Sequence, residues 1–197
     1  MPDGHPRYDF TNTYFVVPAG VTPKQVQVAW VQMVTEVTVD PLGIASADAF
    51  RLKGFIGGAL REMKVNYPNL RIAYLSSRVY GGYVTTNFSP EPFAFQTAYS
   101  NRWVITTQME QERMEQPLWH WDTRTGLVDD TRRAVVPWLA WGPYLWANGT
   151  TPRSDGLTWL RGDFEADGLT LSPSGAVKGG KLLFDFQIGR ASCRERV

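Results

Sequence analysis

The chain is almost without cysteine. Its single one, Cys193, lies in the last ten residues. It can build neither a disulfide framework nor a thiolate metal site, and the redox compartment stays open. Histidine is nearly as scarce. His5 and His120 are the two present, too few for a His-rich metal site. No apolar run approaches the roughly 20 residues that a membrane-spanning helix needs. Neither sign of charge dominates: 20 basic and 19 acidic residues give a formal charge of +1. That balance leaves no electrostatic footprint for nucleic acid. The sequence has no G-x-S-x-G elbow, no Gly-rich phosphate-binding loop and no H-E-x-x-H. It has no internal repeat and no low-complexity tract. No signal-peptide pattern follows Met1, which says little if Met1 is internal to a longer gene. The compartment is therefore open, and extracytoplasmic if an intact gene carries such a signal.

The last ten residues, "IGRASCRERV", resemble a translated sequencing adapter and are set aside from fold reasoning. Without their three arginines and one glutamate the formal charge becomes −1. Residues 1–187 are expected to form one domain, long enough to bury a real core. A read-through tail also makes the sequence a fragment. Aromatics are plentiful, with eight tryptophans gathered mostly in the second half.

Residues 1–24 read as polar and turn-rich, with "PDG" and "PAG". "QVQVAWV" alternates at Val26, Val28 and Trp30 and reads as a strand. Ser46 can cap a helix running to about Asn66, with Leu52, Phe55, Ile56, Leu60 and Met63 at three-to-four spacing. "LRIAYLSS" reads as a strand buried on both faces. Ser89 and Pro90 can start a second helix with Phe95, Tyr99, Trp103 and Thr106 on one stripe, ending near Gln116–Pro117. Residues 117–133 read as irregular and polar. "AVVPWLAWG" is a third strand, with Pro137 at an edge, a bulge or the strand start. A long aromatic loop follows, and Ser172 with Pro173 opens a last helix. The order β-α-β-α-β-loop-α predicts an α/β fold. Right-handed crossovers give it three layers, a parallel sheet with helices on both faces. Three strands are few for such a fold, so it is expected to be incomplete.

Ligands of open parallel sheets sit beyond the carboxyl ends of the strands. "SSRVYGGY", "WGPYLWANG" and "DGLTLSPSG" all fall there, which gathers Ser76, Ser77, Arg78, Tyr80, the Trp loop and Asp167, with Arg153 and Asp155 on the approach. Trp138, Trp141, Tyr144, Trp146 and Trp159 have two readings. They line a sugar- or acyl-binding lip, with Trp138 inside and Trp146 at the lip, or they plug the top of the sheet and clamp a loop. Arg153 and Asp155 can pair to shape that loop. His120, in "WHWD", is either a displaced base or a polar loop residue. Asn87-Phe88-Ser89 and Asn148-Gly149-Thr150 match the glycosylation acceptor pattern, which is short enough to arise by chance. "DG" at Asp167 is a turn signal in its own right.

"LRIAYLSSRVYGGY…SPEPFAF", "PWLAWGPYLWANG…PRSDGLTW" and "DFEADGLTLSPSG" together resemble a bacterial branch of the SGNH (GDSL-like) hydrolases, over about Gln25 to Phe186. The resemblance implies the flavodoxin-like SGNH hydrolase fold and serine-esterase chemistry. An ester, such as an acylated carbohydrate, would be the small-molecule substrate, with no cofactor, no metal and no nucleic-acid partner. Asp167 matches the family's acidic residue, and Thr170 falls where the His should be. The nucleophile block is missing and would lie upstream of Met1. Gln32 is a poor match to the family's Asn block. The resemblance places Gln32, Ser77 and Arg78 at an oxyanion hole or site lip. It places Tyr80, Tyr144, Trp146, Arg153 and Asp155 against substrate. A Ser hydroxyl needs a neighbouring base, and Thr170 cannot be one near neutral pH. The chain as given is expected to be inactive. The alternative is a non-catalytic carbohydrate-binding module using the Trp loop.

Overall fold

The computed structural model describes residues 10–114 and 135–192. His5, His120, Cys193 and the stretch 117–133 lie outside them, as does the expected helix end at Gln116–Pro117. Three strands, β1 (Val28–Gln32), β2 (Ile72–Ser76) and β3 (Trp138–Trp141), form a parallel sheet in the order β1-β2-β3. Two long helices, α1 (Asp48–Asn66) and α2 (Phe93–Met114), connect them, and α3 (Pro173–Ser192) follows the last loop. The α/β class and the parallel sheet thus match the expectation from the order of elements.

The register explains the core. Ala29, Ala73 and Leu139 are laterally paired, as are Val31 and Leu75, and successive residues of a strand face opposite sides. Leu52, Ile56 and Leu60 of α1 and Val104 and Ile105 of α2 bury that side against Ala73, Leu75 and Leu139. Tyr74 faces the other way and meets Phe186 of α3 edge-on, with ring centroids 5.4 Å apart. Helices therefore touch both faces, an arrangement compatible with three layers. β2 is central; its Ala73, Leu75 and Ser76 are buried, while Ile72 and Tyr74 on the α3 face are half-buried, so burial on both faces is only partial.

Several boundaries differ from the sequence reading. α1 begins at Asp48 with Ala47, not Ser46, before it. The Asp48 N–H donates to Asp40 O (2.8 Å), while Asp48 Oδ2 accepts from the N–H groups of Val39 (2.6 Å) and Asp40 (2.9 Å). This loop closure fixes the start of the helix. α2 begins at Phe93, because Ser89 is left-handed (φ 50°) and Glu91 precedes a proline, which disfavours helical backbone. In α1, Phe55 is exposed and leaves the buried stripe to Leu52, Ile56 and Leu60. A single π-type turn forms at Asn12–Val16, with Tyr14 and Phe15 exposed, inside the stretch read as polar and turn-rich. Pro137 directly precedes β3, which lies at a sheet edge. Gln108 of α2 lies against that strand like a further one: its Nε2 donates to Pro137 O (3.0 Å) and its Oε1 accepts from Leu139 N (2.7 Å). Ser172 caps α3, accepting from Gly175 N (3.4 Å). That helix continues past Gln187 to Ser192.

Candidate functional site

Beyond the carboxyl ends of the strands, two of the three loops singled out in the sequence, those that follow β2 and β3, join in one polar and aromatic assembly. At its base, Gln32 Nε2 donates to Ser77 O (2.9 Å) across the β1 and β2 ends. Ser77 is buried, and its Oγ accepts from two successive backbone groups, Leu145 N (3.0 Å) and Trp146 N (3.3 Å). The Ser77 hydroxyl oxygen thereby satisfies both backbone donors of this loop. Ser76 faces the α3 side and accepts from Trp30 Nε1 (2.8 Å). Neither serine bonds to an imidazole or a carboxylate among the described residues.

Arg153 clamps the Trp loop. Its Nη1 donates to Tyr144 O (2.6 Å) and Trp146 O (3.0 Å), while Nε and Nη2 form a fork on Asp155 (2.9 and 2.5 Å). The guanidinium carbon lies 5.5 Å from the Tyr144 ring centroid. The hydrogen bonds from Arg153 hold the Asp155 carboxyl down at about 2. The pair shapes the loop, as the spacing suggested.

The tryptophans occupy different environments. Trp159 is completely buried, donates from Nε1 to Leu145 O (2.7 Å) and packs with Val79, Leu145, Ala147, Leu157 and Phe164. It is the plug. Lys178 of α3 sits over its ring at 5.4 Å and pairs with buried Asp163, tying the last helix to the loop. Trp138, expected inside, is 52% exposed on the α3 side of the sheet. Trp146 is half-buried: its ring packs on Phe95 (4.8 Å) and its Nε1 donates to Glu91 Oε1 (2.9 Å). It acts as a strut. Tyr144 and Trp141, the last residue of β3, are rings that reach solvent at this end.

Glu91 was missed in the sequence reading and sits at the centre. Oε1 accepts from Gly81 N (2.9 Å) as well as Trp146, and Oε2 accepts from Phe95 N (3.2 Å). One carboxylate thereby joins the loop after β2, the Trp loop and the start of α2. Burial raises the Tyr80 phenol, and the Glu91 charge raises it further. Tyr144 is raised by burial and by Glu91 too, with Arg153 opposing. The available signal was an acid next to a predicted helix start.

Arg78 is 5% exposed. Its backbone N–H donates to Thr97 Oγ1 (2.9 Å), and its guanidinium lies 5.8 Å from the Phe88 ring centroid. Burial lowers its pKa to about 10 against the opposing pull of Glu91, so it stays charged at neutral pH. Thr97 also lines a small, shallow cleft with Thr35, Thr38, Asp48, Ser89 and Gln96, where the first turns of α1 and α2 meet the loop after β1.

The loop Asp167–Thr170 stands apart from this cluster, packed against Tyr83. Asp167 is fully exposed. Its Oδ1 accepts from the N–H groups of Leu169 (2.8 Å) and Thr170 (2.9 Å), and its Oδ2 accepts from Thr170 Oγ1 (2.7 Å). Those bonds, the backbone one from Thr170 foremost, lower its pKa. Gly168 (φ +67°) lies so close to Tyr83 that an added Cβ would fall 1.9 Å from Tyr83 O. Among the described residues no group of His, Cys, Asp and Glu could hold a metal ion, and no helix is long and apolar enough to cross a membrane.

Fold and site define an α/β protein with a parallel sheet and a loop cluster at its carboxyl end. Comparison with protein-family models, curated proteins and solved structures finds no match.

Proposed function

We propose that this chain is an SGNH-hydrolase-like domain with the three-layer, flavodoxin-like arrangement, shaped for a small ester such as an acylated carbohydrate and lacking the groups to cleave it. The supporting observation is the hydrogen bond from Thr170 Oγ1 to Asp167 Oδ2 at 2.7 Å. Residue 170 is held by the carboxylate as a base would be held by its orienting acid. A Thr hydroxyl can donate in that place but cannot take a proton near neutral pH. No described serine has a base beside it. Ser77 and Arg78 line the base of the site, Tyr80 and Tyr144 its aromatic wall, and Arg153 with Asp155 its outer clamp.

Calorimetric titration of an O-acetylated monosaccharide against its deacetylated parent tests the reading. A preference for the acetylated sugar that weakens in Tyr144→Ala is expected. No binding, or no preference, would count against it. The purified chain should also fail to turn over a short-chain aryl ester. Hydrolysis abolished by Asp167→Ala would overturn the claim of inactivity. A second reading, carbohydrate binding without any ester preference, draws on the exposed Tyr144 ring beside Arg153. The same titration separates the two.

A further inference from the structure

Arg78 is the one described arginine whose side chain is buried with donors unused. Its Nε and Nη2 are both out of solvent and without a hydrogen-bond partner among the described residues. Buried donors in folded proteins nearly always find an acceptor, and an unpaired one costs free energy. These two N–H groups lie on the same edge of the planar guanidinium. That edge presents parallel donors matched to two oxygens on one atom.

The neighbouring acid does not fill the place. Glu91 is near enough to influence the Arg78 charge but makes no ion pair with it; its Oε1 accepts from Gly81 and Trp146 and its Oε2 from Phe95. Phe88 covers one side of the guanidinium. Thr97, which holds the Arg78 backbone, and Ser89, next to Phe88, both line the polar cleft between the first turns of α1 and α2.

We propose that Arg78 is the receptor for a small monocarboxylate, taken two oxygens at a time on its Nε–Nη2 edge, beside the cleft that Ser89 and Thr97 line. The single positive charge with Glu91 close by favours a monoanion over a dianion. The planar carboxylate matches the fork, whereas a neutral amide presents one acceptor and two more donors. Binding there needs neither nucleophile nor base, so it stands or falls independently of the ester chemistry.

The test is a titration of the intact chain with sodium acetate, following the Arg78 Nε–H resonance by nitrogen-edited NMR. Controls are sodium chloride at matched ionic strength, acetamide and inorganic phosphate. A saturable shift with acetate, absent with chloride and acetamide and weaker with phosphate, is expected. Arg78→Lys keeps the charge and loses the fork, and should weaken acetate binding at least about tenfold, as loss of one arm of a charge-assisted pair implies. No saturable shift in the unsubstituted protein would mean that ordered water fills the fork, and the proposal fails. Phosphate binding as tight as acetate, or an unchanged response in Arg78→Lys, overturns it too. The resonance assay on the unsubstituted chain decides the matter even if the variant does not fold.

Discussion

Removing the Glu91 carboxylate should loosen three loops at once. Glu91→Ala deletes an ionised acceptor that takes three hydrogen bonds. Gly81 is buried, so its N–H is left without an acceptor; such an orphan costs about 1–3 kcal/mol. The Trp146 indole N–H is half-buried and recovers part of its bond from water, while Phe95 N–H, in the first turn of α2, recovers more. Their combined loss adds about 1 kcal/mol. The expected destabilisation is therefore about 2–4 kcal/mol, which for a domain of this size lowers Tm by about 9 °C at the middle of the range. Glu91→Gln keeps the shape. Its carbonyl oxygen can still accept from Gly81 and Trp146, but its amide then points donors at Phe95 N–H. About half the loss is expected. Urea and thermal unfolding followed by tryptophan fluorescence read both variants, and the Trp146 indole should redden as it becomes wet. If both variants unfold within about 1 °C of the unsubstituted protein, where 1 kcal/mol shifts Tm by about 2–4 °C, Glu91 is not the joint described here.

Trp159→Ala empties the centre of the loop cluster and breaks the bond to Leu145 O; a loss of about 3–5 kcal/mol is expected in urea unfolding, and a loss below 1 kcal/mol would sink the plug assignment. Gly168→Ala should destabilise the Asp167 loop by more than the usual Gly-to-Ala change, because the left-handed backbone and the Tyr83 carbonyl both oppose a Cβ; a Tm equal to or above the parent's would contradict the packing. Thr170→Val removes one donor to Asp167, so the Asp167 carboxyl should titrate closer to its ordinary value, though the two backbone bonds keep it lowered; carboxyl NMR from pH 2 to 6 reads the shift, and no movement would exclude the hydroxyl contact. Since that folded pKa is depressed, whatever the loop gains from the ionised carboxylate is present above the unfolded pKa and fades as pH falls through the folded one. Tyr80 and Tyr144 have the opposite sign: their raised pKa values favour the fold below about pH 10, and that contribution is lost as pH rises through the folded values. Ultraviolet tyrosinate titration of Glu91→Gln should bring both phenols back toward the ordinary range.

Where a residue's role was set by its neighbours in the chain, it could be read from the chain. The apolar run of β2, the Leu52–Ile56–Leu60 stripe, Pro137 at a strand start and Ser172-Pro173 at a helix start all follow from local backbone chemistry. Roles set across the fold were illegible. Trp138 and Trp159 look alike in sequence, but strand alternation turns Trp138 to the α3 side with Val28 and Ile72, while Trp159 drops into a cluster drawn from three loops. Glu91 gains its meaning only when Gly81 and Trp146 arrive from 10 and 55 positions away. Ser46 lost the cap because Asp48 is held back by Asp40, a contact that no spacing rule contains.

The loop "DGLTLSPSG" shows how an acid can be accounted for by the turn it closes. Each bond that shapes the loop is made without a base. Asp167 closes its own turn on two backbone N–H groups, Gly168 supplies the left-handed step, and the backbone of Thr170 accepts from Glu165 N (2.8 Å). Ser172 then caps α3 and the Lys178–Asp163 pair pins that helix to the Trp159 plug. Were Asp167 present only to orient a base, replacing it with Asn would leave stability untouched. Because the carboxylate accepts three bonds and an Asn side chain has one oxygen to offer, Asp167→Asn should instead raise amide exchange at Leu169 and Thr170 while leaving the sheet's protection unchanged. Unchanged exchange at those two amides would return the acid to a purely chemical role.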